Sequence, residues 1–262
     1  MPNTAKPLSG RRVVVTRTRD QASELTATLS ALGAEVLEIP VIRISREVSK
    51  QTLADVLLEL GGYDWLVFTS ANGVHHFFGE FFALFDDIRS LGLVRIACVG
   101  EATAKAVADL RLKVELQPKK ASAEALAAEL IATGSMDSAK VLVITGNLNR
   151  DVLVKKLEEA RAMVDCLQVY KTEAVDLSSH PAVADFREKG ADAVLFASSS
   201  SARSFVEQGE VLRLSKDARK PLLGSIGAQT SDAMREAGLT VDFEAQTPGI
   251  ETLVEALVKA LL

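Results

Sequence analysis

Six short stretches gather hydroxyl, amide and glycine residues where an apolar run gives way to a helical period. They are "TRTRD" after Val15, "TSANG" after Phe68, "VGEAT" after Cys98, "TGNLNR" after Ile144, "SSSSA" after Ala197 and "IGAQT" after Ser225. Turns of this kind leave backbone N–H groups unpaired at the positive end of a helix, where a carboxylate or phosphate is stabilised. The same residue types also serve as ordinary helix caps, so one such turn alone implies nothing more. Six turns lining one cleft between twin domains would make an anion site. Arg17, Arg19, Arg150, Lys171 and Arg203 are the cations near these turns, and each by itself could be a solvated surface charge. Tyr170 is one of two tyrosines and falls in an extended run; its phenol can donate a hydrogen bond or act as a weak general acid, or it is a half-buried strand residue.

Other chemistry is excluded by what the chain lacks. There is no G-x-G-x-x-G after a strand, no G-x-x-x-x-G-K-[ST] and no G-x-S-x-G. His75 and His76 are adjacent, so on a helix they point about 100° apart and cannot chelate one metal together; His180 sits beside Pro181 in a predicted loop. The run Ser198 to Ser201 has no His–Asp pattern to make a nucleophile of it. Phe77, Phe78, Phe81, Phe82 and Phe85 fall at helical spacing and are expected in the core.

The elements that must carry these groups repeat. "VVVTRTRDQASELTATLSALGAEVLEIPVIRI" from Val13 aligns without a gap on "VLVITGNLNRDVLVKKLEEARAMVDCLQVYKT" from Val141, and "DWLVFTSANGVHHFF" from Asp64 on "DAVLFASSSSARSFV" from Asp192, both 128 residues apart. "VGEATAKAVADLRLKVE" meets "IGAQTSDAMREAGLTVD" and "EALAAEL" meets "ETLVEAL" at a spacing of 127. Four blocks in one order imply an internal duplication. Within each half, "RVVVT", "WLVFTS", "RIACVG", "KVELQ", "KVLVITG", "AVLFAS", "LLGSIG" and "TVDFEA" are apolar, β-branched runs suited to strands buried on both faces. Helical periods alternate with them, among them Leu25, Leu29 and Leu32 and Leu253, Leu257 and Leu261. Ser23, Ser122, Thr103 and Thr230 are expected at helix starts. The fold expected is therefore α/β: two flavodoxin-like parallel-sheet domains from an internal duplication, with ligands beyond the carboxyl ends of the strands. Residues 34–48 and 162–175 are repeat mates too long for a compact unit, and Ile42 is the mate of Tyr170. A pair of such strands would bridge two domains, one of residues 1–40 plus 174–262 and one of 44–168, with 40–44 and 168–174 as linker strands. A tandem split near residue 135, at "TGSMDSA", is equally allowed.

Composition sets outer bounds. The chain has 262 residues, 48% hydrophobic and 25% charged, which argues against wholesale disorder. A net charge of −5 gives no field that would attract nucleic acid, so an anionic ligand has to be held by local donors. Cys98 and Cys166 both lie in apolar runs and are expected to be buried thiols. No apolar stretch is long enough for a membrane span and the first residues have no apolar leader, which leads us to expect a cytoplasmic protein that meets no membrane.

The ordered set "VVVTRTRDQASEL", "VFTSANGV", "VGEATA", "QVYKTE" and "IGAQTSDAM" resembles the uroporphyrinogen-III synthase family over nearly the whole chain. The resemblance implies two α/β domains joined by a two-stranded β linker, the first completed by the C-terminal part. It implies cyclisation of hydroxymethylbilane, a linear tetrapyrrole with eight carboxylates, to uroporphyrinogen III in haem biosynthesis, without metal or organic cofactor. By the same resemblance Tyr170 in "VYKT" assists departure of the terminal hydroxyl, while Arg17, Ser70, Asn72, Thr103, Ser198, Ser199 and Thr230 bind substrate, with Ser198 and Ser199 alternatives for the ligand-facing serine. Ala71 stands where many relatives have proline, and "FASSSSA" is looser than the usual form. The expected partner is the tetrapyrrole, not nucleic acid, and the expected state is a monomer that meets the preceding pathway enzyme transiently. The alternatives are a two-lobed α/β module that binds a small anion without converting it, and a nucleotide-dependent transferase.

Overall fold

The computed structural model of the chain describes residues 6–148 and 151–262. Arg150 and the side chain of Arg19 lie outside what is described. The strands are β1 Arg12–Val15, β2 Glu35–Glu38, β3 Ile42–Arg46, β4 Trp65–Phe68, β5 Arg95–Cys98, β6 Lys140–Gly146, β7 Met163–Ala174, β8 Ala193–Phe196, β9 Leu222–Ser225 and β10 Phe243–Glu244. The α-helices are α1 Arg19–Ala31, α2 Lys50–Leu58, α3 Ala71–Leu84, α4 Glu101–Asp109, α5 Ala123–Ala132, α6 Val152–Glu159, α7 Pro181–Lys189, α8 Ser199–Glu207, α9 Ala228–Glu236 and α10 Ile250–Leu261. The chain forms two compact units, Met1–Arg43 with Glu173–Leu262, and Ile44–Thr172.

Each unit has an α/β sheet dominated by parallel pairs. In the first the order is β10-β9-β8-β1-β2, and in the second β3-β7-β6-β4-β5. The registers of the two sheets correspond residue by residue. Arg12 is level with Glu35 as Lys140 is with Met163, and Val13 is level with Ala193 as Val141 is with Trp65. Gly224 meets Phe243 in β10, and the equivalent Ala97 meets Leu116 as an isolated bridge. The run "KVELQ" is thus reduced to that single bridge instead of a strand. Its backbone is tied at only two points, Glu115 and Leu116, to the β5 ladder before Pro118 ends the donor series.

Both sheets are covered on both faces, which is why their strands are apolar throughout. In the second unit Leu66 and Phe68 pack with Phe77, Phe78 and Phe81 on one side, and Trp65 and Val67 with Leu126, Leu130, Leu153 and Leu157 on the other. In the first unit Val14, Val194 and Phe196 face Phe186, Ala202 and Met234, while Val13 and Val15 face Leu25, Leu29, Leu253 and Leu257. Each fully buried leucine of these stripes contributes about 1.5–3 kcal/mol relative to an exposed one. Phe82 departs from the expected stripe. It points outward at 45% exposure, because its neighbours Phe78 and Phe81 already occupy the sheet-facing arc.

Two other expectations change. Helix α1 begins at Arg19 with Thr18 at its cap position, one turn ahead of Ser23, which is an interior residue of the helix. Cys98 is buried but Cys166 is exposed. The backbone bonds from Glu47 to Val169 and from Val175 to Val41 run in opposite senses along β3 and β7 and leave the start of β7, with Met163 and Cys166, beyond the reach of β3. That half of β7 has β6 on one side only.

Candidate active site

Strand β4 ends at Phe68, and Ser70 then takes an extended conformation (φ −160°, ψ 156°) that lets its Oγ accept the Gly73 N–H at 3.0 Å and cap α3. This hydroxyl does more than cap. Its Oγ lies 2.9 Å from the Tyr170 hydroxyl. Tyr170 reaches it from β7 because the β6–β7 register shifts between Thr145 and Gly146, so that Thr145 is level with Gln168 and Gly146 with Tyr170. Such a bulge re-aims one side chain. Gly146 makes the approach possible: a Cβ there would lie 2.9 Å from the phenol oxygen and nearer still to the ring carbons. The His76 imidazole stacks on the same ring, centroids 5.6 Å apart and planes 19° apart.

Burial pushes the Tyr170 pKa above its ordinary value, and the Ser70 hydrogen bond opposes this only in part. The phenol is therefore protonated at neutral pH, the form that can donate. The Ser70 contact also favours the phenolate that forms once the proton is given up.

The equivalent place in the first unit has the cap without the acid. Ser198 adopts φ −160° and ψ 154° and accepts the Ser201 N–H, as Ser70 does with Gly73. Ile42, buried at the position equivalent to Tyr170, offers no hydroxyl, and Ser198 Oγ turns to Ser200 and Ser201. Ser199 donates to the Gln229 carbonyl at 3.1 Å, joining α8 to α9. Asn72 is half-buried in the first turn of α3. Thr103 and Thr230 are buried in the first turns of α4 and α9, one turn inside helices whose cap positions are taken by Gly100 and Gly227.

The cations separate into two kinds. Lys171 pairs with Glu47 at 3.7 Å and Arg203 with Glu236 at 3.3 Å. Arg17, just past β1, is half-buried and makes no hydrogen bond or ion pair among the described residues. Burial pulls its pKa down, and the charge of Glu24 offsets this in part. A desolvated guanidinium without a partner is suited to an incoming carboxylate. Among the described residues no group of three or more His, Cys, Asp or Glu could hold a metal and no helix is long and apolar enough to cross a membrane.

The structure thus brings Ser70 and Tyr170 into contact and leaves Thr103 as a separate, buried position of the same unit; Arg17, Ser198, Ser199 and Thr230 belong to the other. The sequence singled out His76 only to set it aside as a metal ligand beside His75, and Gly146 only as one glycine of the hydroxyl-rich turn "TGNLNR"; neither was placed at the phenol.

The family model described as uroporphyrinogen-III synthase HemD matches residues 23–255. The chain belongs to this family. Among curated relatives, a porphyrin biosynthesis protein HemD of Ruminiclostridium josui is 25% identical over 97% of this chain and 49% of its own length. The chain thus spans about half of that relative. A uroporphyrinogen-III synthase of Synechococcus elongatus is 27% identical over 96% of both chains. The fold is also that of a mutant uroporphyrinogen III synthase from the extremely thermophilic bacterium Thermus thermophilus, with a TM-score of 0.70 at 19% identity over 96% of this chain and 99% of that one.

Proposed function

We propose that this member of the uroporphyrinogen-III synthase family cyclises hydroxymethylbilane to uroporphyrinogen III, with loss of water and inversion of ring D. Family membership over residues 23–255 supports the reaction, and the observation that supports a role for Tyr170 within it is the Ser70–Tyr170 contact at 2.9 Å. Tyr170 gives its proton to the terminal hydroxyl, the C–O bond breaks with its electron pair on oxygen, and water leaves. The azafulvene cation that remains is attacked by the substituted carbon of ring D. The spiro intermediate fragments and recloses with that ring inverted, and the proton lost as the last pyrrole regains aromaticity returns to the Tyr170 phenolate. Closure in free solution gives the symmetric type I isomer, so the protein's contribution is chiefly to hold one carbon in attack geometry.

Ser70, Asn72 and Thr103 in one unit and Arg17, Ser198, Ser199 and Thr230 in the other mark the turns that take substrate carboxylates. The positive ends of the helices and an Arg17 with no ion pair among the described residues would allow a chain of net charge −5 to bind a polyanion. The matching registers of the two sheets support an origin by duplication of one α/β unit, and β3 with β7, which cross the unit boundaries at Arg43/Ile44 and Thr172/Glu173, act as the two-stranded linker. We infer a cytoplasmic monomer that takes its substrate from the preceding pathway enzyme through a transient encounter.

The role of Tyr170 is tested by Tyr170→Phe in single-turnover reactions with freshly generated hydroxymethylbilane. General acid catalysis contributes on the order of 10²-fold or more, and with positioning intact the variant is expected to slow by about 10- to 100-fold while still giving mostly the type III product. Kinetics equal to wild type would retire Tyr170 as the acid.

A further inference from the structure

Beyond its packing on the apolar core of its unit, Tyr170 meets Ser70 at its oxygen, Gly146 beside the phenol end, and His76 over the ring. The Ser70 hydrogen bond holds the oxygen and the core holds the ring edge; the stacked imidazole covers a ring face, and displacing the ring breaks that aromatic contact as well. His76 is half-buried on α3, whose buried residues include Val74, Phe77, Phe78 and Phe81. Burial lowers its pKa, neighbouring His75 adds to this and Glu80 opposes it, so an uncharged imidazole faces the phenol at neutral pH. Glu80, one turn further along the helix, is engaged by Arg46 through two hydrogen bonds and does not compete for the ring. His75 is exposed on another face.

We propose that His76 is a positioning residue for the cyclisation: its imidazole holds the Tyr170 phenol in the orientation from which the proton reaches the departing hydroxyl. This rests on the role of Tyr170 given above. His76 touches no reacting atom and transfers no proton; it acts through the ring it stacks on.

The test compares kcat and KM for wild type, His76→Ala, His76→Phe, Tyr170→Phe and the double variant His76→Ala/Tyr170→Phe. A second readout is tyrosinate absorbance in a Tyr63→Phe background, where Tyr170 is the remaining tyrosine. Loss of one aromatic pair is expected to lower kcat roughly tenfold, with KM nearly unchanged because the contact serves the transition state rather than ground-state binding. His76→Phe restores the rate, and His76→Ala costs nothing further once Tyr170 is Phe. In the titration, His76→Ala moves the Tyr170 pKa down toward the ordinary phenol value as water reaches the ring. An equal loss from His76→Ala with Phe at position 170 overturns the proposal, and so does a Tyr170 titration that does not move. Wild-type kinetics in Tyr170→Phe would instead remove the acid role, and the titration would still decide whether His76 holds the ring.

Discussion

At the scale of single residues, the site turns on which polar groups already have partners. Ser198, Ser199, Lys171 and Arg203 are satisfied within the protein, whereas Arg17 is half-buried with no ion pair among the described residues. A hydrogen bond to a charged group is worth about 1.5–3 kcal/mol, so Arg17→Ala is predicted to raise KM for hydroxymethylbilane by roughly 10- to 100-fold. A proposed carboxylate contact of Arg17 would be made in ground and transition states alike, so kcat should change little. A fall in kcat at constant KM would assign Arg17 to the chemistry instead. Tyr170 shows where reading residues one at a time stops. Its type and its strand were legible, but its contact with Ser70 spans 100 residues of chain and depends on a one-residue register shift and on a glycine. No local pattern encodes such a meeting.

At the scale of elements, what the sequence made legible was whatever burial on both faces enforces. The central strands β1, β4, β6 and β8 are apolar, β-branched runs, and the helices that cover them carry leucines at helical spacing. Ends were harder to read. Thr18 and Ser23 are both acceptable caps, and only packing chooses between them; at Cys166 an apolar run hid the fact that one strand neighbour is missing. The paired aspartates ahead of β4 and β8 are a repeated device. Asp64 accepts the Lys140 N–H at 2.9 Å and Asp192 the Arg12 N–H at 2.8 Å, each closing the open end of an adjacent central strand.

Asp192 does more than its mate. It is nearly fully covered and also receives Arg11 and Arg219. Burial alone would raise its pKa, but the Arg12 amide and the two guanidinium groups outweigh this and hold the carboxyl below its usual value. A depressed folded-state pKa stabilises the fold above the unfolded carboxylate value near 4, and that stability is lost as pH falls through the folded value. Asp192→Asn is therefore predicted to cost about 1–3 kcal/mol at pH 7, discounted for the exposure of both arginines. Urea unfolding at pH 7 and again at successively lower pH should show this gap closing below about pH 4. A gap that is constant with pH would mean that the charge is irrelevant and only shape was lost.

At the scale of the whole molecule, two sheets with one register have diverged in what their turns carry. The unit of residues 44–172 keeps a phenol, a serine and an imidazole together beyond β4 and beside the end of β6; the other unit has an isoleucine where the phenol would be, and offers Arg17 and a run of serines. On the function proposed above, duplication would supply two sets of anion-accepting turns, and divergence would give the acid to one of them. This division suits a reaction whose substrate is a flexible polyanion with a single hydroxyl to lose: many contacts must hold, and one must donate.

The central claim is ring inversion, and the identity of the product tests it most directly. Purified protein is given freshly generated hydroxymethylbilane, the products are oxidised, and type I and type III porphyrins are separated by chromatography. Predominantly type III is expected. A mixture indistinguishable from the protein-free control would overturn the synthase reading, leaving a protein of two α/β units that binds an anion without converting it.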